Sequence, residues 1–183
     1  MTLDELLSHD SARDLRLNLR HLRETQALTP VQAWGAALTA AMAARNPAVL
    51  AAVNEEARAH LTPAQQNGAR IAAALMGLNN VYFRFTHLVE APEYAQMPAG
   101  LRMQAMRDPG VPRRDFELMC LSASIVTACG ACIAAHERTL RKDGATPEMV
   151  QEVARIAAVV HAAALASEVS AVLDRAPSAT PSV

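Results

Sequence analysis

Two thiols, an imidazole and a carboxylate lie within one twenty-residue stretch, Glu117 to His136, reading ELMCLSASIVTACGACIAAH. The stretch holds all three cysteines of the chain, Cys120, Cys129 and Cys132, in otherwise apolar sequence. Cys129-Gly130-Ala131-Cys132 has the CxxC spacing of dithiol redox sites, and His136 follows four residues after Cys132. On a helix, offsets of three and four put both sulfurs and the ring on one face. Such a cluster suits thiolate attack followed by disulfide formation.

Simpler readings fit less of the pattern. Two cysteines can serve as small buried hydrophobes, but this spacing beside a histidine is not what packing selects. Zinc usually takes four ligands; here there is no second CxxC, and His161 would join His136 only by folding back. Redox chemistry is the better reading. His161 and Cys120 read as core or helix-packing residues, Glu137 as a solvated charge, and Met103 with Met106 as packing.

Glu117 needs help to take part. It precedes Cys129 by twelve residues, about 18 Å along a straight helix. A helical hairpin removes that distance, because antiparallel partners pair about the turn. Val126 and Thr127 sit midway between Glu117 and His136, and with Gly130 they are poor helix formers. The sequence therefore predicts a break near Thr127 or Ala128 and a new helix from about Cys129. Glu117 would return against His136, and the CxxC would occupy a helix N-terminus, where free N–H groups favour a thiolate. The dipole argument selects Cys129 as the low-pKa sulfur, whereas proximity to His136 selects Cys132.

The rest of the chain is suited to building such a hairpin. Its 183 residues are 51% hydrophobic, largely alanine, and only 3% aromatic, which suits close-packed helices and not sheets. A net charge of −1 makes no electrostatic case for nucleic acid or an anionic membrane. No apolar run is read as approaching the roughly 20 residues of a membrane span. The acidic start, MTLDELLSHD, lacks the order of a signal peptide, and three clustered cysteines are too few for a secreted disulfide scaffold. A soluble, cytoplasmic, all-α protein is expected.

Helix starts are marked by a capping side chain followed by proline: Thr29-Pro30, Asn46-Pro47, Thr62-Pro63 and Thr146-Pro147. These predict helices over 30–44, 48–60, 63–88 and 147–174. Thr2 and Glu5 predict a short first helix, and Ser11 opens a leucine-rich helix to about Thr25, with Leu15, Leu19 and Leu22 on one face. Residues 91–114, rich in proline and glycine, read as a connector with a short helix near 99–107. Thr62-Pro63…Ala69-Arg70-Ile71-Ala72-Ala73 resembles Thr146-Pro147…Ala154-Arg155-Ile156-Ala157-Ala158 at offsets of 84 and 85. The reading is a single domain of two similar halves: a degenerate half at 1–90, the connector at 91–114, a CxxC-bearing half at 115–175 and a disordered tail at 176–183. Carried back by 84, Cys129, Cys132 and His136 fall on Arg45, Ala48 and Ala52, which lack the chemistry.

With these residues in view, the chain resembles the alkyl hydroperoxidase D family of the carboxymuconolactone decarboxylase-like superfamily. The shared pattern is Phe116-Glu117-Leu118, Cys129-x-x-Cys132, Ala135-His136-Glu137 and Thr139-Leu140-Arg141, preceded by Leu101-Arg102-Met103 and Pro109-Gly110-Val111-Pro112. The resemblance implies an all-helical fold, a trimer, and a thiol peroxidase that also re-reduces a partner peroxiredoxin. It implies no bound cofactor; electrons would come from dihydrolipoamide on a lipoylated acyltransferase, kept reduced by dihydrolipoamide dehydrogenase. It assigns sulfenic acid formation to Cys132, the disulfide partner and proton donor to Cys129, and the proton relay to Glu117 and His136. Well-known members carry histidine immediately before the second cysteine, where this chain has Ala131. Two alternatives follow: an electron-transfer adaptor with little peroxidase activity, and a decarboxylase-like enzyme that uses His136 without the thiols.

Overall fold

Four helices begin where a capping side chain and a proline stand together. In a computed structural model, which describes residues 1–174, these are α4 (Pro30–Ala44), α5 (Pro47–Ala57), α6 (Pro63–Leu88) and α10 (Pro147–Leu173). Thr29 and Thr62 close full capping boxes with Gln32 and Gln65, while Asn46 and Thr146 accept from the amides of Val49 and Met149. Each proline sits at a position whose N–H has no helical partner, so its missing donor costs nothing. The remaining helices are α1 (Leu3–Leu6), α2 (Arg13–Asn18), α3 (Arg20–Arg23), α7 (Pro92–Gln96), α8 (Arg113–Val126) and α9 (Gly130–Lys142). No strand occurs among the described residues, so the fold is all-α. The tail expected at 176–183 lies outside the described residues.

Three expectations need correction. The leucine-rich helix from Ser11 is divided into a 3-10 turn at Asp10–Ala12, α2 and α3. Asn18 donates its side-chain amide to the Asp14 carbonyl, a local bond that competes with the helical ladder. Leu19 and Leu22 are nevertheless buried, so the apolar face survives the break. The connector's short helix is displaced to α7, with only a 3-10 turn at Gln104–Met106, because Pro92 supplies a helix start and Gly100 adopts φ +67°. Finally, α10 is long and apolar enough to cross a membrane by length and composition, with mean hydropathy 1.8 over an 18-residue window. Its apolarity comes from many alanines, and its Ile156, Ala157, Val160 and Ala163 lie in the core.

The core forms where α4 and α8 lie side by side, with α6 and α10 packed across both. Gly35 lies in the seam of the first pair, where the end of the Met119 side chain fills the space beside it: a Cβ there would lie 2.6 Å from Met119 Cε, which would have to shift. Ser122 on α8 bonds the Ala36 carbonyl across the same seam at 2.8 Å, so the buried hydroxyl is satisfied.

The hairpin α4–α5 followed by long α6 has the same element order as α8–α9 followed by long α10. Each hairpin turns through a left-handed residue, Arg45 (φ 60°) or Ala128 (φ 55°), and then an N-cap, Asn46 or Cys129. The match through the hairpin is one residue short of the offset taken from the sequence. Cys129, Cys132 and His136 thus face Asn46, Val49 and Val53 in the comparison, not Arg45, Ala48 and Ala52.

Glu152 of α10 is buried, and its Oε1 takes a hydrogen bond from His21 at 2.9 Å while Arg155 bonds Oε2 at 2.8 Å. Burial penalises the carboxylate, but Arg155 and His21 outweigh it and hold the carboxyl below its ordinary range. A depressed folded-state pKa contributes stability above the unfolded value, lost as pH falls through the folded one. Glu152→Gln is expected to lower unfolding stability by about 1–3 kcal/mol at pH 7. In urea denaturation the gap between the variant and the parent should narrow at pH 3; a gap equal at both pH values would contradict the assignment.

Candidate active site

The turn that presents the cysteines is set by hydrogen bonds at the end of α8. The Cys129 amide donates to the Ser124 carbonyl at 3.1 Å and the Ala128 amide to the Ile125 carbonyl at 3.0 Å. This is the Schellman pattern, which requires a left-handed residue between them; Ala128 takes the seat glycine usually fills. Cys129, the last residue of that motif, is also the N-cap of α9, and its Sγ accepts from the Cys132 amide at 3.4 Å. One residue therefore closes one helix and opens the next.

Helix α6 braces the turn from the side. Asn80, fully buried, donates to Thr127 Oγ1 at 2.8 Å and accepts from Ser124 Oγ at 3.3 Å. Arg84 donates to the Thr127 carbonyl at 2.8 Å.

With α9 folded back on α8, the buried Glu117 and His136 meet: His136 Nδ1 donates to Glu117 Oε2 at 2.8 Å. The ring's Nε2 lies 3.2 Å from Met76 Sδ, a sulfur that can only accept. Both ring nitrogens are thereby engaged, and among the described residues no hydrogen bond joins His136 to either cysteine sulfur. Arg113 approaches Glu117 Oε1 at 3.9 Å but is largely exposed, so that contact is worth little.

Cys129 and Cys132 are joined as a disulfide, with Cα atoms 5.3 Å apart. The two sulfurs differ in access. Cys129 is 0% exposed, whereas Cys132, at 4%, lines a cavity of about 350 Å³ together with Glu117 and His136. Asn79, Phe83, Met106, Arg113, Ala131 and Ala135 complete much of its wall. The third cysteine, Cys120, is buried in α8; desolvation, with the nearby Glu117 charge, pushes its thiol well above the usual range. It is inert packing.

The structure thus gathers Glu117, Cys132 and His136 at one cavity, with Cys129 directly behind. Three wall residues, Asn79, Phe83 and Arg113, were not singled out in the sequence, nor was Met76, which meets the His136 ring. Met76, Asn79 and Phe83 recur at offsets of three and four on α6, a signal obscured because the face they form is recognisable only once its neighbour is known. Met106, read as packing, also lines the cavity, and His161 is exposed on α10, not in the core. Among the described residues no group of His, Cys, Asp and Glu side chains is arranged to hold a metal ion.

Because Ala128 holds a left-handed backbone, Ala128→Gly should relieve strain and raise unfolding stability by about 1 kcal/mol. Thermal denaturation checks this; a lower melting temperature would contradict the assigned turn.

Comparison with known proteins identifies relatives of this chain. The profile of the Carboxymuconolactone decarboxylase family matches residues 92–175, which include the connector, α8, α9 and α10. The chain is 46% identical to the alkyl hydroperoxide reductase AhpD of Methylocella silvestris over 170 residues, covering 92% of this chain and 96% of that protein. It is 48% identical to the AhpD of Frankia alni over 91% of this chain and 89% of that one. For the AhpD of a Bradyrhizobium species the identity is 44%, over 94% and 96%. With such identity sustained along nearly the whole length, the chain belongs to the AhpD family of alkyl hydroperoxide reductases.

Proposed function

We propose that this protein reduces organic hydroperoxides with Cys132 as the attacking sulfur and Cys129 as its resolving partner. The observation that carries the assignment is access: of the two, only Cys132 lines the cavity shared with Glu117 and His136. The Cys132 thiolate attacks the terminal peroxide oxygen, forming an S–O bond as the O–O bond breaks. The sulfur is oxidised by two electrons, and the departing alkoxide takes a proton and leaves as alcohol. Cys129 then displaces hydroxide from the sulfenic acid, giving the disulfide and water. Exchange with a dihydrolipoyl dithiol restores both thiols. His136 relays protons and Glu117 orients its ring, a pairing supported by their 2.8 Å contact.

The same dithiol would pass electrons to a partner peroxiredoxin, with a lipoylated acyltransferase as its donor in the cytoplasm and no tightly bound cofactor. A second reading, in which this exchange dominates and intrinsic peroxidase activity is small, is favoured by Ala131. This residue stands beside Cys132, and with Ala135 it is small and exposed, leaving the sulfur approachable by a partner thiol. Assembly as a homotrimer fits an exposed apolar row on α6, Leu78, Val81, Phe85 and Leu88, and another on α10, Leu165, Val169 and Val172.

Stoichiometric peroxide should consume two of the three thiols, leaving Cys120. Cys132→Ser should abolish dihydrolipoamide-dependent turnover of an organic hydroperoxide, by at least about a thousandfold if the nucleophile is lost. Turnover that survives the substitution would remove Cys132 from the role. The adaptor reading is checked by trapping: Cys129→Ser should accumulate a mixed disulfide through Cys132 with an oxidised peroxiredoxin. Absence of that adduct counts against it.

A further inference from the structure

The helix dipole and the burial pattern point to different sulfurs. As the N-cap of α9, Cys129 receives the Cys132 amide and the positive end of the helix. Cys132, which lines the cavity, is one turn further in and receives no backbone donor in the described contacts. In this disulfide-bonded arrangement His136 donates to neither sulfur, since its nitrogens lie against Glu117 and Met76. The polar side chain that reaches Cys132 is Asn79, whose Nδ2 lies 3.8 Å from Sγ.

Two neighbouring asparagines on α6 divide their work. Asn80 is fully buried and its amide is spent on Thr127 and Ser124, holding the turn. Asn79 is half-buried, lines the cavity, and its side chain makes no hydrogen bond among the described residues except the one to Cys132. Its amide secures no other part of the fold. An N–H aimed at sulfur interacts weakly with a disulfide or thiol and more strongly with a thiolate, where the acceptor carries full charge.

We propose that Asn79 is a catalytic residue of the dithiol site, donating its Nδ2–H to Cys132 and stabilising the thiolate that attacks substrate. Each sulfur then has one donor of its own, a backbone amide at Cys129 and a side-chain amide at Cys132. The second donor offsets the advantage that position on the helix confers on Cys129. The proposal rests on the reading of Cys132 as the attacking sulfur, and its test does not depend on turnover.

The experiment uses the full chain carrying Cys129→Ser, since serine keeps an N-cap acceptor and prevents the disulfide. The buried Cys120 does not compete. The rate of iodoacetamide alkylation at Cys132 is followed against pH by peptide mass spectrometry. Asn79→Ala should move the midpoint upward by about one pH unit, slowing alkylation about tenfold below both midpoints. Asn79→Asp, which keeps the shape but removes the donor and adds negative charge, should move it further in the same direction. It also serves as the decisive variant if the alanine chain melts early. Profiles for both variants that overlay the parent's would overturn the proposal while leaving the Cys132→Ser result on hydroperoxide turnover untouched.

Discussion

A single left-handed residue, Ala128, determines where every reactive group of this protein ends up. It lets the chain reverse within three residues, so that α9 returns along α8 and Glu117 meets a histidine nineteen positions later. Without the reversal, helical rise alone would keep the carboxylate well beyond hydrogen-bond reach of the CxxC. The cost of placing alanine in that conformation is met by the two Schellman bonds and by Asn80 and Arg84 reaching over from α6. The strain therefore sits where the surrounding structure specifies it most tightly.

The site is assembled from three helices, and each contributes a different kind of constraint. Helix α8 supplies the carboxylate from a buried face that also packs on α4, so Glu117 is held by the core itself. Helix α9 carries Cys132 and the imidazole, and its N-cap carries the second sulfur. Helix α6 supplies no residue of the CxxC motif, yet it touches the turn, the ring and the sulfur through Asn80, Met76 and Asn79. Burial then separates the two cysteines chemically: one is enclosed at the helix cap, and the other faces the cavity. Under the proposed assignment, the enclosed sulfur would be the resolving one and the sulfur at the cavity the attacking one, a division suited to a reaction in which over-oxidation is the hazard.

The match between α4–α5–α6 and α8–α9–α10 explains why the reactive segment looks ordinary in its architecture. In the N-terminal hairpin the cap after the left-handed residue is Asn46, whose side-chain oxygen takes the amide of Val49. Cys129 makes the equivalent bond with sulfur. The cysteine at this position thus occupies a seat that serves helix capping in the other hairpin.

Much of this was legible in the sequence. The cap-proline pairs determine the starts of α4, α5, α6 and α10, because both effects act within one turn and need no distant partner. The β-branched pair at Val126 and Thr127, with Gly130, locates the chain reversal for the same local reason. The cysteine spacing and the histidine one turn later determine which chemistry is available. Tertiary structure alone decided which sulfur faces the cavity, where the two ring nitrogens of His136 point, and that α6 forms the facing wall. Those depend on the rotation and depth of helices packed from distant parts of the chain, and side chains such as Met76 and Asn79 acquire meaning only against the surface they meet. The broken N-terminal helix and the displaced connector helix fall in the same class: short helices are weak in isolation, and packing and competing side-chain bonds settle their boundaries.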